Sequence, residues 1–549
     1  MAGNSTLAAD HVPDSPHKRH CCRSPSPRHN GNRGLAPRRP IRSLLFLVAL
    51  VNLAWSLYQL PVSRVVESRL CREHYAGRDP SPLRSDGSVP EELCKIDEVQ
   101  QPLGKIQGVM EALWVAGDFL MTIPLVSLAD HYGHRFVLCL NLIPRVFLLA
   151  WTFAVGYFDR VLPINAILAA PILSFLGGDC VFNSIVYSLV SELTDDHVLR
   201  ATFFGYVNAV SAIFSLQLGP ALASATMSAL LWLPFWIGIA ILLIAVPVIS
   251  TLPLPSSHHL PTSDDSSEAA LPLLSSPSAR HTLKTLTKSR LNTIISLLSN
   301  PSRNFVLLLA VFFFASLASS DTKMLTLYIS KRYGWKFSSV GYLLSGKAVF
   351  NFILLSVVVP RVLQLRQSRR ASLPGAEAGR AGGGGIGAAA AAAATAAAEA
   401  ASGGQRRSSS EQGLHGTAVD KETIANAHIC LVFSVLGALA IALSPAIWAL
   451  VPSLLLYALG IALPMFTWSL LKSPSMGLDE SLGGDDRQGT QLFSVVMLVK
   501  TVGTLLGAVV MPALWVAGLG IRGWALGMPF LVSAGCYAIA GGLVRKIAV

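Results

Sequence analysis

Five ionisable residues lie inside long apolar stretches of the sequence, where a charge is costly unless it has a partner or a use. They are Asp118, Arg145, Asp179, Lys347 and Lys500. An ionisable side chain at membrane depth pairs with another charge, faces a water-filled cavity or binds a solute or a proton. Each of the five is therefore a candidate for structural ion pairing, for proton transfer or for substrate binding.

The depth of these residues within their apolar segments separates the alternatives. Counted at about 1.5 Å per residue, Asp118, Arg145 and Asp179 fall near the middle of three consecutive segments. Asp118 and Arg145 lie at matching depth, which favours an ion pair between them. Asp179 has no obvious partner in its half of the chain and is the candidate titrating group. Lys347 and Lys500 are structural if they pair with Asp179, and make an anion-attracting cavity if they do not.

Two further charges lie near the end of an apolar segment, and several aromatic residues lie inside the spans. Asp321 and Lys323 lie nearer the end of their apolar segment, so we expect them to reach the outer membrane surface. Aromatic side chains such as Trp55, Phe182 and Tyr457 are candidates for the lining of a cavity.

The composition is typical of a protein with many membrane spans. The chain is 52% hydrophobic and only 13% charged, whereas a soluble domain averages about 25% charged residues. The net charge of +12 comes from basic residues in loops rather than on one compact domain, so no nucleic-acid partner is expected. No cysteine and histidine cluster has metal-ligand spacing, so we predict no metal and no cofactor.

Apolar segments long enough to cross a bilayer core of about 30 Å occur twelve times. They cover roughly 43–62, 106–128, 135–157, 161–191, 200–226, 228–252, 304–329, 338–363, 424–444, 447–471, 491–517 and 523–545. The predicted fold is therefore an all-α membrane protein with twelve transmembrane helices in two six-helix halves, at 42–252 and 304–549. Two related half-bundles would produce such a division.

The segments outside the spans are basic or of low complexity. Residues 1–41 are predicted to form a disordered basic tail, 253–303 a cytoplasmic linker, and 366–421 a cytoplasmic insertion rich in Ala and Gly. Because basic residues accumulate on the cytoplasmic side, both termini are predicted to be cytoplasmic. The loop after the first span then lies outside and holds Cys71 and Cys94, which we predict to form a disulfide there.

The connection between the second and third spans has the sequence LADHYGHR, from Leu128 to Arg135. It resembles the corresponding loop of the major facilitator superfamily, written G-x-L-A-D-R-x-G-R-[RK], with Val126 in place of the first Gly and histidines in place of two arginines. The segments CREHY at 71–75 and YISKRYGW at 328–335 resemble fungal members of that family. The resemblance covers nearly all of the membrane part.

The resemblance implies a central cavity that opens to one side at a time. It implies that Asp130, Gly133 and Arg135 brace a cytoplasmic gate, with help from Glu192 and Arg200; a solvated surface charge cluster is the alternative. Gly219 and Pro220 lie where antiporter members, including drug:proton antiporters, have a Gly-Pro motif. The alternative for these two residues is an ordinary helix kink. The arginine motif that many proton-coupled members have in helix 4 is absent.

The predicted function is secondary active transport of a small organic solute, anionic or amphipathic, by alternating access with proton-coupled efflux, including multidrug efflux. The protein is not expected to be an enzyme, and no catalytic residue is predicted. A transport-dead membrane sensor or scaffold and a polytopic membrane enzyme remain the alternatives. The predicted partners are the lipid bilayer, the solute and protons. The predicted location is the plasma membrane, with the vacuolar membrane as an alternative, and the predicted state is a monomer.

Overall fold

The computed structural model describes residues 38–77, 89–193, 197–252, 302–354, 357, 361, 409–471, 486–521 and 523–547. These residues contain helices and loops and no strand. The described residues from 39 onward belong to one compact unit. Most of the linker predicted at 253–303 and most of the insertion at 366–421 lie outside the described residues.

Seven α-helices lie in the first half of the chain, among the residues that the structure describes. They are α1 (Arg38–Ala76), α2 (Asp97–Tyr132), α3 (His134–Tyr157), α4 (Asp179–Glu192), α5 (His197–Ala212), α6 (Gly219–Ala229) and α7 (Leu233–Ser250). Short 3-10 helices at Glu91–Cys94 and Ile164–Leu176 precede α2 and α4, and a π-helical segment, Ile213–Leu218, joins α5 to α6. The first helix begins at Arg38, inside the stretch predicted as tail.

The described part of the second half contains eight α-helices. They are α8 (Arg303–Ser319), α9 (Asp321–Tyr333), α10 (Phe337–Ile353), α11 (Ser409–Leu443), α12 (Ile447–Ala458), α13 (Leu463–Leu471), α14 (Asp486–Ile521) and α15 (Met528–Arg545). Helix α11 begins within the stretch predicted as insertion. Ten of the segments in the described part of the chain are long and apolar enough to cross a membrane, and Ile447–Ala458 is a shorter apolar helix. The prediction of an all-α membrane fold with two six-span halves is confirmed.

Several spans are broken near their middle. The fourth consists of a 3-10 helix and α4, separated at Gly177 and Gly178, and the seventh is divided between α8 and α9 at Ser320. Gly177 has a φ of 141°, which side-chain-bearing residues rarely adopt. In a membrane, such breaks occur where the freed backbone groups find partners inside the protein. The breaks therefore decide which polar groups meet in the interior.

Packing between the halves is close along α2 and α14. A Cβ atom added at Gly108 would lie 2.5 Å from Cβ of Pro512, and one added at Gly104 would lie 2.6 Å from Cδ1 of Trp515. The Trp515 side chain is fully buried. Only glycine allows helices to approach this closely, so this contact depends on both glycines.

Candidate functional site

Arg145 and Asp179 form an ion pair in the first half of the chain. The Nη2 atom of Arg145 lies 2.7 Å from Oδ1 of Asp179, and Nε donates to Oδ1 of Asn141 at 3.2 Å. Arg145 is only 2% exposed, whereas the Asp179 side chain is 46% exposed. The prediction that Arg145 pairs with Asp118 is wrong, as is the prediction that Asp179 has no partner in its half. The interruption of the fourth span at Gly177 and Gly178 places Asp179 in the first turn of α4, facing α3.

Asp118 instead binds the N-terminus of α4. Its Oδ2 atom accepts a hydrogen bond from the backbone N–H of Cys180 at 2.8 Å, and Oδ1 accepts one from Val181 at 3.5 Å. Gly178 permits this approach, because a Cβ atom there would overlap the Asp118 carboxyl. A helix N-terminus carries partial positive charge and unsatisfied N–H groups. Asp118 therefore acts as a cap supplied by a neighbouring helix.

Aromatic rings surround the buried Arg145 guanidinium. Its Cζ atom lies 5.3 Å from the centroid of Trp55, 5.9 Å from that of Trp114 and 5.7 Å from that of Phe182. Trp55 and Trp114 stack with their centroids 4.7 Å apart. Cation–π contacts at these distances offset part of the cost of burying a cation. Half-buried Trp55 and Asp179 form an aromatic and polar surface in the first half.

Lys347 in α10 and Lys500 in α14 supply two cations from the second half. The Lys347 ammonium lies 5.3 Å from the centroid of Tyr457. Thr501, which follows Lys500, lies 3.7 Å from Sγ of Cys180, so Lys500 is next to the first turn of α4. Neither ammonium makes a hydrogen bond or an ion pair with any residue that the structure describes. Asp179 is engaged by Arg145, so the structural pairing with these lysines does not occur.

Three charged residues that the sequence did not single out as site residues lie near this region. Asp321 is fully buried, and the Tyr457 hydroxyl donates to its Oδ1 at 3.1 Å. The Lys323 ammonium lies 3.2 Å from Oε1 of Glu111, and this ion pair joins the two halves. The expectation that Asp321 reaches the membrane surface is wrong. The seventh span continues to Tyr333, so Asp321 lies closer to its middle than the apolar pattern indicated.

Cys71 and Cys94 are joined by a disulfide and are both fully buried. We call the end of the molecule that carries them the disulfide end. Glu67, also fully buried, lies 2.7 Å from the Lys95 ammonium and 3.1 Å from Arg64. The disulfide and the ion pair of Glu67 with Lys95 attach the 3-10 helix Glu91–Cys94 to α1.

That attached segment contacts the second half of the chain. Oε1 of Glu91 accepts a hydrogen bond from the N–H of Phe337 at 2.7 Å, at the start of α10. The Lys331 ammonium lies 2.7 Å from Asp97. Together with the Gly108 contact, these interactions hold the halves together at the disulfide end.

Removing the disulfide is expected to destabilise the protein. The bond closes a loop with a sequence separation of 23 residues, and such a loop contributes about 3 kcal/mol to the free energy of unfolding. The double variant Cys71→Ser, Cys94→Ser should therefore unfold at a lower temperature in detergent, while Cys139→Ser should not. Alkylation of both Cys71 and Cys94 in the absence of reductant would contradict the prediction.

The residues of the predicted gate are only partly described. Gly133 has a φ of 91° and separates α2 from α3, and Arg135 donates a hydrogen bond to the carbonyl of Leu252 at the end of α7. The side chains of Asp130, Glu192 and Arg200 lie outside the described part of the chain. Their role in a gate stays a prediction.

The Gly219-Pro220 segment follows the π-helical segment Ile213–Leu218. The Ser56 hydroxyl donates to the carbonyl of Ser215 at 2.7 Å, and a Cβ atom on Gly219 would overlap Ser56. π-Helical turns are a recognised cause of helix bending and are frequent at functional sites. The fifth span is therefore irregular in its middle and packs closely on α1 there.

Comparisons with known proteins agree with this architecture. A family model described as Major Facilitator Superfamily matches residues 100–403. The chain is 24% identical over 498 residues to the MFS efflux pump atnC of Emericella nidulans, covering 90% of this chain and 85% of that protein. It is 22% identical over 330 residues to the efflux pump ustT of Aspergillus flavus, covering 58% and 61%.

Two solved structures share the fold at low sequence identity. The human organic anion transporter MFSD10 (TETRAN) is 15% identical, with a TM-score of 0.53, and the alignment covers 92% of this chain and 99% of that one. The nucleoside transporter NupG is 14% identical, with a TM-score of 0.53, covering 93% and 99%. At such identities the likeness shows the fold alone.

Proposed function

The chain belongs to the major facilitator superfamily and is a secondary transporter, and from this premise we propose that it exports a small organic solute that carries a negative charge. The relatives atnC and ustT are named efflux pumps, which supports the outward direction. One observation carries the choice of charge. Lys347 and Lys500 have no ionic partner among the described residues, whereas most carboxylates near them do.

Three acidic side chains of the region have partners of opposite charge or helix polarity. Asp179 pairs with Arg145, Glu111 pairs with Lys323, and Asp118 caps α4. A cationic solute that binds one of these three carboxylates would have to displace its partner. An anionic solute would meet two ammonium groups that are half-buried, where weak solvation strengthens their attraction for a negative charge.

Aromatic residues favour a solute with a planar apolar part. Tyr457 lies beside Lys347, and the half-buried Trp55 lies on the opposite half of the protein. Solute sites in proteins commonly combine aromatic walls with a few charged groups that fix orientation. We therefore propose an aromatic or amphipathic anion as the substrate class.

The proposed orientation places the disulfide end outside the cell and both termini in the cytoplasm of a plasma-membrane protein. The basic residues in the loops between the spans support this orientation, because such residues accumulate on the cytoplasmic side of a membrane protein. The contacts of Gly108 and Lys331 hold the disulfide end closed, so the described state is proposed to be open toward the cytoplasm. The Asp130 loop would then form the gate that closes in the other state.

Transport of a fluorescent anion tests the proposal. We expect the double variant Lys347→Gln, Lys500→Gln to release 1-naphthalenesulfonate from proteoliposomes about tenfold more slowly than the unmodified protein, equivalent to about 1.4 kcal/mol of lost interaction. Lys336→Gln is the matched control, because Lys336 lies at the disulfide end and its side chain is 57% exposed. Cells that produce the protein should also retain less preloaded probe than cells that lack it.

The neutral analogue 1-naphthalenesulfonamide separates charge recognition from aromatic recognition. The unmodified protein is expected to prefer the sulfonate, and the double variant is expected to lose that preference. Equal transport of both probes by the unmodified protein would contradict an anion site. Unchanged sulfonate transport in the double variant would exclude the two lysines.

A further inference from the structure

Asp321 is a buried carboxyl with no cation in contact among the residues that the structure describes. It lies in the first turn of α9 and is 0% exposed. The Tyr457 hydroxyl lies 3.1 Å from Oδ1 and 3.3 Å from Oδ2. No Lys or Arg of the described chain lies within 4 Å of the carboxyl. A charged carboxylate that is buried without a cation is energetically costly, so binding a proton stabilises this group.

The titratable and charged groups around Asp321 come from several helices. Tyr457 on α12 bonds the carboxyl, and Tyr537 on α15 lies 3.1 Å from the Tyr457 hydroxyl. Lys347 on α10 is the cation whose charge acts on Asp321. On the same helix as Asp321, Lys323 is engaged by Glu111. Helix α14, which also packs on α9, carries Lys500.

Tyr457 connects Asp321 to the proposed anion site. Its hydroxyl bonds the Asp321 carboxyl, and the face of its ring lies 5.3 Å from the Lys347 ammonium. A negative charge on Asp321 would attract Lys347 and repel a solute anion bound there. Neutralising that carboxyl removes both effects.

We propose that Asp321 is a proton-binding site that controls anion binding at Lys347, so that proton and anion bind together. The inference rests on the proposed function and deepens it by naming the coupling group. Asp179, the candidate from sequence, suits this role less well, because it already pairs with Arg145 at 2.7 Å.

The sign of the coupling follows from linkage. A bound proton raises the affinity for the anion, and by reciprocity a bound anion raises the affinity of Asp321 for a proton. Proton and anion then cross in the same direction, which differs from the proton exchange expected from the sequence. An anionic product would then leave the cell together with a proton when its outward gradient exceeds any opposing proton gradient.

Binding of 1-naphthalenesulfonate to the purified full-length protein at two pH values tests the inference. The sulfonate stays ionised between about pH 5 and pH 8, so a change in affinity reports on the protein. We expect the affinity to rise about fivefold from pH 8 to pH 5. Asp321→Asn should bind tightly at both pH values, and Asp159→Asn, in the loop after α3, should behave like the unmodified protein.

A second variant provides a readout that a purely structural role would not change. Tyr457→Phe keeps the ring beside Lys347 and removes the hydrogen bond to the charged carboxylate. The pH at which affinity changes should therefore move upward, because the charged form has lost a donor. Tyr457→Phe also tests the role of Asp321 if the Asp321→Asn variant does not fold.

The outcomes distinguish the inference from the function on which it rests. The role of Asp321 would be overturned if Asp321→Asn kept the normal pH dependence of anion affinity. It would also be overturned if Tyr457→Phe left unchanged the pH at which the affinity changes. Binding of the anion with no pH dependence in the unmodified protein would overturn the inference alone. Failure of the unmodified protein to prefer sulfonate over sulfonamide would overturn the anion function and the inference together.

Discussion

Replacing Asp118 with alanine is expected to lower the free energy of unfolding by about 3 kcal/mol and to reduce the yield of folded protein. The carboxylate accepts hydrogen bonds from the N–H groups of Cys180 and Val181 at the start of α4. In a membrane interior no water replaces a lost acceptor. The N–H groups at the start of α4 would therefore stay without a hydrogen bond and bear the full desolvation cost. The thermal unfolding midpoint in detergent measures the effect.

The variant Asp118→Asn separates a helix cap from a proton carrier. Asparagine keeps one oxygen that accepts a backbone hydrogen bond but loses the charge that favours the helix N-terminus. We expect it to be more stable than Asp118→Ala and to transport at a measurable rate. Stability of Asp118→Ala equal to that of the unmodified protein would exclude the cap. Normal folding of Asp118→Asn with complete loss of transport would indicate a role in proton or solute binding.

Replacing Gly108 with leucine is expected to hold the disulfide end open and to abolish most transport. A Cβ atom at this position would lie 2.5 Å from Cβ and 2.7 Å from Cγ of Pro512 on α14, in the other half of the protein. Overpacking of this kind costs about 1–3 kcal/mol. Applied to one of two alternating states, that cost shifts their populations by about 5–150-fold, and net flux should fall by a similar factor.

Crosslinking across the disulfide end measures the closed state directly. Asp97 and Lys331 face each other across the two halves at 2.7 Å, so a short bismaleimide should join cysteines in the variant Asp97→Cys, Lys331→Cys. Adding Gly108→Leu should reduce the crosslink yield. Gly535→Leu is the control, because a Cβ atom at Gly535 meets nothing within 4 Å. An undiminished crosslink with Gly108→Leu would show that this contact does not govern closure.

The ion pairs of the interior show where sequence reasoning stops. Depth counting located Asp118, Arg145 and Asp179 in the interior, but it assumed that the fourth span was one regular helix. The break at Gly177 and Gly178 starts α4 anew at Asp179. It turns the N–H of Cys180 toward Asp118 and leaves Asp179 for Arg145. Which carboxyl pairs with which cation therefore depends on this interruption of the helix. The apolar pattern of the sequence does not encode it.

The same limit explains why Asp321 was missed. Its depth depends on where the seventh span ends, and the polar residues around it resembled a helix terminus. In the structure, Tyr457 from a helix more than a hundred residues later covers the carboxyl. A partner this distant in sequence leaves no local signal, so only the packed structure identifies the site.

The sequence by itself determined the membrane class, the twelve spans, the two-half arrangement and the family loop at Leu128–Arg135. These are local properties, because hydrophobic length and turn residues act within one segment and the bilayer selects for them directly. The tertiary structure decided the capping of α4 by Asp118, the Arg145–Asp179 pair and the lack of an ionic partner for Lys347 and Lys500 among the described residues. These depend on helix breaks and on contacts between segments far apart in the chain, since an ionic interaction requires its two groups to approach within a few ångströms.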